Sequence, residues 1–149
     1  MRVDRHWLSE ILRSLALVGC FLLIGCSSGE KPVKLHTVAG KLTITGAATP
    51  NIVIHFLPAK GRSSTGVTDA KGAFEMRYDS EHAGAIPGVH QVWIEYRPAS
   101  PAEEMAVREG TSPLSNELQA ALQKYGSMSS PQYQVTVDKD EKSLSINLQ

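Results

Sequence analysis

His36, His55, His82 and His90 are the residues of this chain best suited to hold a metal or move a proton. Imidazole titrates near neutral pH and is the commonest metal ligand. The four are scattered, with none of the close His, Asp or Glu spacing that a metal motif uses, so no metal site is expected. Asp138, Asp140 and Glu141 fall close together. They lack the glycine and ligand spacing of a calcium loop and read as a solvated turn. Ser63, Ser64, Ser127, Ser129 and Ser130 stand in no Gly-x-Ser-x-Gly or Ser-x-x-Lys setting that would activate a hydroxyl. No catalytic residue and no cofactor is expected. Trp93 has the clearest binding potential: an aromatic on an exposed sheet face can stack on sugar rings, and Tyr133 is its candidate partner in a ligand platform. The competing expectation is that an apolar helical face of Leu114, Leu118 and Leu122 covers Trp93.

The remaining reactive side chains are Cys20 and Cys26. Arg2, Arg5, His6 and Arg13 precede an uncharged apolar run over residues 15–25, of a length that fits an export signal better than a membrane span. The run ends at Leu23-Ile24-Gly25-Cys26, followed by Ser27-Ser28-Gly29-Glu30-Lys31-Pro32. This resembles the bacterial lipobox, in which a peptidase cuts after a small residue and the following cysteine carries a diacylglycerol thioether. Leu17-Val18-Gly19-Cys20 fits the same pattern, but cutting there would leave Phe21-Leu22-Leu23-Ile24 exposed. Cys26 is therefore the expected lipidation site and the membrane the expected partner, through that anchor. Each buried CH₂ is worth about 0.8 kcal/mol, and two or more chains hold stably. By the sorting rule for diderm bacteria, Ser27 in place of Asp favours the outer membrane, facing the periplasm. The expected division is a lipoprotein signal peptide over 1–25, a lipidated tether over 26–33 and a folded domain over 34–149. The polar stretch 27–32 reaches roughly 20 Å when extended.

Lys+Arg and Asp+Glu each number 15 in the chain, and losing residues 1–25 leaves the rest near neutral. Such a balance offers no electrostatic footprint for nucleic acid, which is not expected as a partner. The domain beyond Cys26 has no thiol for a disulfide or a thiolate nucleophile.

The elements that must position these groups are mostly strands. Residues 33–45 and 64–68 read as strands. Ile52, Ile54 and Phe56 alternate with Val53 and His55, bounded by Pro50-Asn51 and Pro58. Asp69-Ala70-Lys71-Gly72 predicts a hairpin between 64–68 and 73–78. Over 89–97, His90, Val92, Ile94 and Tyr96 share one face, and Gln91, Trp93, Glu95 and Arg97 the other. Residues 98–130 change period. Ser100-Pro101-Ala102-Glu103 starts one helix, with Gly110 to stop it. Ser112-Pro113 opens another that carries Leu114, Leu118, Ala121, Leu122 and Tyr125 at helical spacing and stops at Gly126. Strands over 132–137 and 143–148 close the chain. The total is about seven short strands at the spacing of a sandwich.

Four stretches together resemble the carboxypeptidase-regulatory-like, prealbumin (transthyretin)-like domain: Val38-x-Gly40-x-Leu42, Ile52/Ile54/Phe56-Leu57-Pro58, Thr68-Asp69-x-x-Gly72-x-Phe74 and Gly88-x-His90-x-Val92-x-Ile94. The likeness covers roughly 34–97 and 131–149. It implies an all-β, seven-stranded Greek-key β-sandwich; the short helical insertion expected before the last two strands departs from the minimal domain, and the lipoprotein signal peptide precedes it. It implies no reaction, since the module is a non-catalytic accessory in the enzymes that carry it. Hydroxyisourate hydrolases share the sandwich but end in a Tyr-Arg-Gly-Ser type tail, where this chain has Ser145-Ile146-Asn147-Leu148-Gln149. The expectation is a cell-envelope lipoprotein with a structural or binding domain. Its alternatives are a carbohydrate- or peptidoglycan-binding module and an accessory subunit docking an envelope protein.

Overall fold

The computed structural model describes residues 33–111, 114–129 and 133–149. Cys26, the expected signal and the expected tether up to Pro32 lie outside them, as do Ser112 and Pro113. The described chain is mostly strand, with two helices and two four-stranded sheets. In order it forms β1 (Val38–Ile44), β2 (Ala47–Ala48), β3 (Ile52–Pro58), β4 (Ser64–Val67), β5 (Ala73–Glu75) and β6 (Gly88–Tyr96). Next come α1 (Pro101–Arg108), α2 (Asn116–Tyr125), β7 (Tyr133–Val137) and β8 (Glu141–Leu148). The helical insertion thus precedes the last two strands.

One sheet is built on β1. β2 and β5 pair with it antiparallel, and β8 pairs with it in parallel from Val38↔Glu141 to Ile44↔Leu148. The other sheet has the order β4-β3-β6-β7, antiparallel throughout. Alternation puts one face of each sheet into a common core. Val38, Leu42, Phe74 and Ile146 come from the first sheet, and Ile52, Ile54, Phe56, Val92, Ile94 and Val135 from the second.

Two tight turns show how local chemistry builds this arrangement. Asp69 accepts from the amides of Lys71 (2.8 Å) and Ala73 (2.9 Å), and Gly72 takes a φ of 73°. The turn is present, and its two arms meet antiparallel at Thr65↔Arg77, each amide donating to the other's carbonyl (2.8 and 2.7 Å), although the named strands belong to different sheets. β4 lies in the second sheet and β5 in the first, so Asp69–Gly72 carries the chain across the core. Thr68 serves the same corner: its hydroxyl donates to the Thr49 carbonyl (2.8 Å) and accepts from the Ile52 amide (2.9 Å).

The second turn joins β1 to β2, a two-residue strand that the sequence does not announce. Ile44 pairs with Ala47, leaving Thr45 and Gly46 as a two-residue loop with φ of 49° and 84°. Positive φ at both central positions is the signature of a type I′ turn.

Ser100 caps α1 as its sequence predicts: the Glu103 amide donates to its hydroxyl at 3.2 Å, and the Glu103 carboxylate accepts from Ala99 N–H at 2.7 Å. α2 starts one turn later than Ser112 suggests, with Ser115 as its cap. Its apolar face does what its spacing requires. Leu118, Ala121 and Tyr125 are buried in the common core, with Leu114 and Leu122 packed against it. The helix closes the end of the sandwich where β1 finishes. There the Lys124 ammonium (2.8 Å) and the Tyr125 hydroxyl (2.9 Å) both donate to the Gln149 carbonyl oxygen.

Candidate functional site

Trp93 sits on the outer face of β6, directly across from His55 of β3. Their rings are parallel to within 5°, with centroids 3.7 Å apart. The stack spans two neighbouring strands, and the imidazole covers one face of the indole. His55 Nε2 also lies 3.3 Å from a carboxylate oxygen of Glu95. Burial lowers the His55 pKa, and Glu95 opposes that shift.

α2 does not cover Trp93. Its apolar face is spent in the core, on the other side of the sheet. Tyr133 does not join Trp93 either: it pairs with Val92, so it faces the core side while Trp93 faces out. The two members of the expected platform therefore occupy opposite faces of one sheet. This correction follows from register, which a residue list cannot supply.

Each histidine has its own local partner. His36 Nδ1 lies 3.4 Å from Asp140, whose carboxylate also accepts from the Thr37 amide at 2.9 Å. That amide first, and His36 second, hold the Asp140 carboxyl below its usual range. His82 Nδ1 lies 2.9 Å from Asp79, and this contact leads the causes that bring the Asp79 pKa down to about 2. His90 is fully buried on the core face, with Nε2 donating to the Ile86 carbonyl at 2.8 Å. Its Nδ1 has no hydrogen-bond partner among the described residues, and neither does the buried Ser64 hydroxyl. Among the described residues no three His, Cys, Asp or Glu side chains gather as a metal site. The chain matches no protein-family model, no curated protein and no solved structure.

A concavity among the described residues lies elsewhere, between α2 and the β1–β2 turn. It has a volume of about 440 Å³ and is lined by Ile44, Thr45, Tyr96, Glu103, Ser115 and Glu117 among others. A second hollow of about 350 Å³ shares Ile44, Thr45 and Glu117 and extends to Lys124 and Gln149. Thr45 is central to both. A β-branched residue at positive φ is a genuine outlier, and such strain gathers at functional sites. At the opposite wall, Tyr96 donates to Glu103 over 2.5 Å. This bond pushes the Tyr96 pKa up to about 12 and holds the Glu103 carboxyl below its usual range. Of the lining, Tyr96 is legible in the sequence only as a strand face, Glu103 as a cap, Leu114 and Leu118 as an apolar helical face and Pro50 as a strand boundary. Thr45-Gly46 lacks the Asn-Gly pattern that marks a type I′ turn, so the turn at the groove's mouth is not legible in the sequence.

Proposed function

We propose that this chain is a lipid-anchored protein of the bacterial cell envelope, and that its two-sheet domain is a non-catalytic structural or binding module. The observation that carries the reading is Leu23-Ile24-Gly25-Cys26 and its position, seven residues before Val33, the first described residue of the domain. On this reading lipid on Cys26 holds the domain close to its membrane, with Ser27 directing it to the outer one. The four histidines each have a separate local partner: Asp140 for His36, Glu95 for His55, Asp79 for His82 and the Ile86 carbonyl for His90.

The prealbumin-like, Greek-key reading is part of the same proposal. It is supported by the motif residues having distinct structural roles: Thr68 latches a corner, Asp69 caps a turn, Gly72 takes positive φ and Phe74 fills the core.

The glycan platform of Trp93 with Tyr133 is disfavoured by their opposite faces. Docking of an envelope protein through the insertion has one observation in its favour: α1 buries none of its residues and leaves Met105 59% exposed.

The test is fractionation and fatty-acid labelling of the full chain beside Cys26→Ser. Wild type should label and sediment with membranes, and the variant should do neither. Equal recovery of both in the membrane fraction would defeat the anchor.

A further inference from the structure

The groove between α2 and the β1–β2 turn has a chemical polarity that its lining makes explicit. Three of the four hydroxyl hydrogens on its wall are committed to the protein. Thr45 donates to the Ile44 carbonyl (2.8 Å), Thr49 to the Ala47 carbonyl (3.2 Å) and Tyr96 to Glu103 (2.5 Å). The Ser115 oxygen accepts from the Leu118 amide. Thr45, Thr49 and Tyr96 therefore have only lone pairs left to face the cavity. The lining adds two carboxylates, Glu103 and Glu117, and no lysine or arginine. Both carboxyls are held below their usual range by the bonds they accept, so both are ionised near neutral pH. Ile44, Leu114, Leu118 and Pro50 supply an apolar floor beneath these acceptors.

A pocket with acceptors on its rim, negative charge and an apolar base recognises a ligand that brings donors, positive charge and a compact carbon body. We propose that this groove binds a small polyol bearing a protonated amine, of amino-sugar size, with the ammonium between Glu103 and Glu117. Thr45 explains why the site is there. Its left-handed conformation turns the β1–β2 loop at the mouth of the groove, and its Oγ1 is fixed by the Ile44 carbonyl. The inference rests on the binding half of the function proposed above and is independent of the lipid anchor.

Location adds a constraint. β1 runs for seven residues from the end where the chain arrives to the end that carries the groove. At about 3.3 Å per residue, the groove opens roughly 20 Å from that point of arrival.

The test is titration of the full chain in detergent, followed by amide chemical shifts. The probes are glucosamine, its neutral N-acetyl form and the anionic glucuronate. Glucosamine should move the amides of Thr45, Gly46, Ser115 and Glu117. N-acetylglucosamine should bind about tenfold more weakly and glucuronate not measurably, because charge complementarity is lost. Glu117→Gln, at an exposed helix position, should weaken glucosamine by a similar factor while leaving the fold intact. Shifts confined to other surfaces, equal binding of glucuronate, or unchanged affinity in Glu117→Gln would each overturn the assignment. Membrane release of Cys26→Ser has no bearing on these outcomes, so failure of the anchor and failure of the groove are separable.

Discussion

His55 lies flat against Trp93, 3.7 Å between ring centroids and 5° from parallel, on the outer face of the central strand pair. The stack joins β3 to β6 on the side that the core does not reach. His55→Ala should cost about 1 kcal/mol, the usual worth of an aromatic pair beyond its area. It should also leave the indole face open to water, read as a red-shifted tryptophan emission in a Trp7→Phe background.

The same stack gives a pH dependence with a definite sign. Burial lowers the folded-state pKa of His55 below the ordinary histidine value of about 6.5. Between the folded value and 6.5 the unfolded chain binds the extra proton, so stability rises with pH through that window. The contribution should be complete above pH 6.5 and lost as pH falls through the folded value. Urea melts at several pH values would show this slope, and His55→Gln should remove it.

Gly40 sits where β1 passes closest to β8. A Cβ there would lie 2.0 Å from the Leu144 carbonyl oxygen, a backbone atom that cannot swing away. The β1–β8 register also shifts between Val38 and Gly40. Gly40→Ala should therefore destabilise by about 3 kcal/mol or more, as overpacking against a fixed ladder does. A neutral result in thermal melts would mean the two strands are not paired as described.

Thr45 occupies a turn position that favours Asn or Gly. Thr45→Asn should raise stability by about 1 kcal/mol, the scale of a left-handed penalty relieved. If the groove is a binding site, the same change should weaken its ligand. A gain in denaturation midpoint together with loss of glucosamine affinity is the expected pair of results.

His90 carries a buried Nδ1 without a partner among the described residues, beside Phe56 at 5.6 Å between rings. His90→Phe removes that orphan and leaves the Ile86 carbonyl to water, since Ile86 is only partly buried. The change should be stabilising by about 1 kcal/mol in calorimetry, the lower end of the penalty for an unsatisfied buried group.

Much of the fold could be read from local pattern. The alternation of Ile52, Ile54 and Phe56, and of His90, Val92 and Ile94, assigned the buried faces that the structure shows. Ser100 and Glu103 announced α1 because a cap is a contact between near neighbours. What escaped was non-local. Nothing near Val38 or Glu141 says that β1 and β8 pair in parallel, and nothing in Asp69–Gly72 says that the turn changes sheets. The apolar face of α2 had to be buried, but spacing alone did not say whether against the core or over Trp93. The groove was least visible of all, because it is formed where a turn, a strand end and a helix meet.

The parallel pairing of β1 with β8 has a mechanical consequence. The described domain's first strand and its last lie side by side and point the same way, so their trailing and leading ends are at opposite poles. Tension between the segment before Val38 and the residues after Leu148 would drag one strand lengthwise past the other. The evenly spaced, slanted bonds of a parallel ladder then share the load together, where an antiparallel hairpin pulled from its open end would give way one rung at a time. Tethered at one pole and tugged at the other, the domain resists as a clasp loaded in shear.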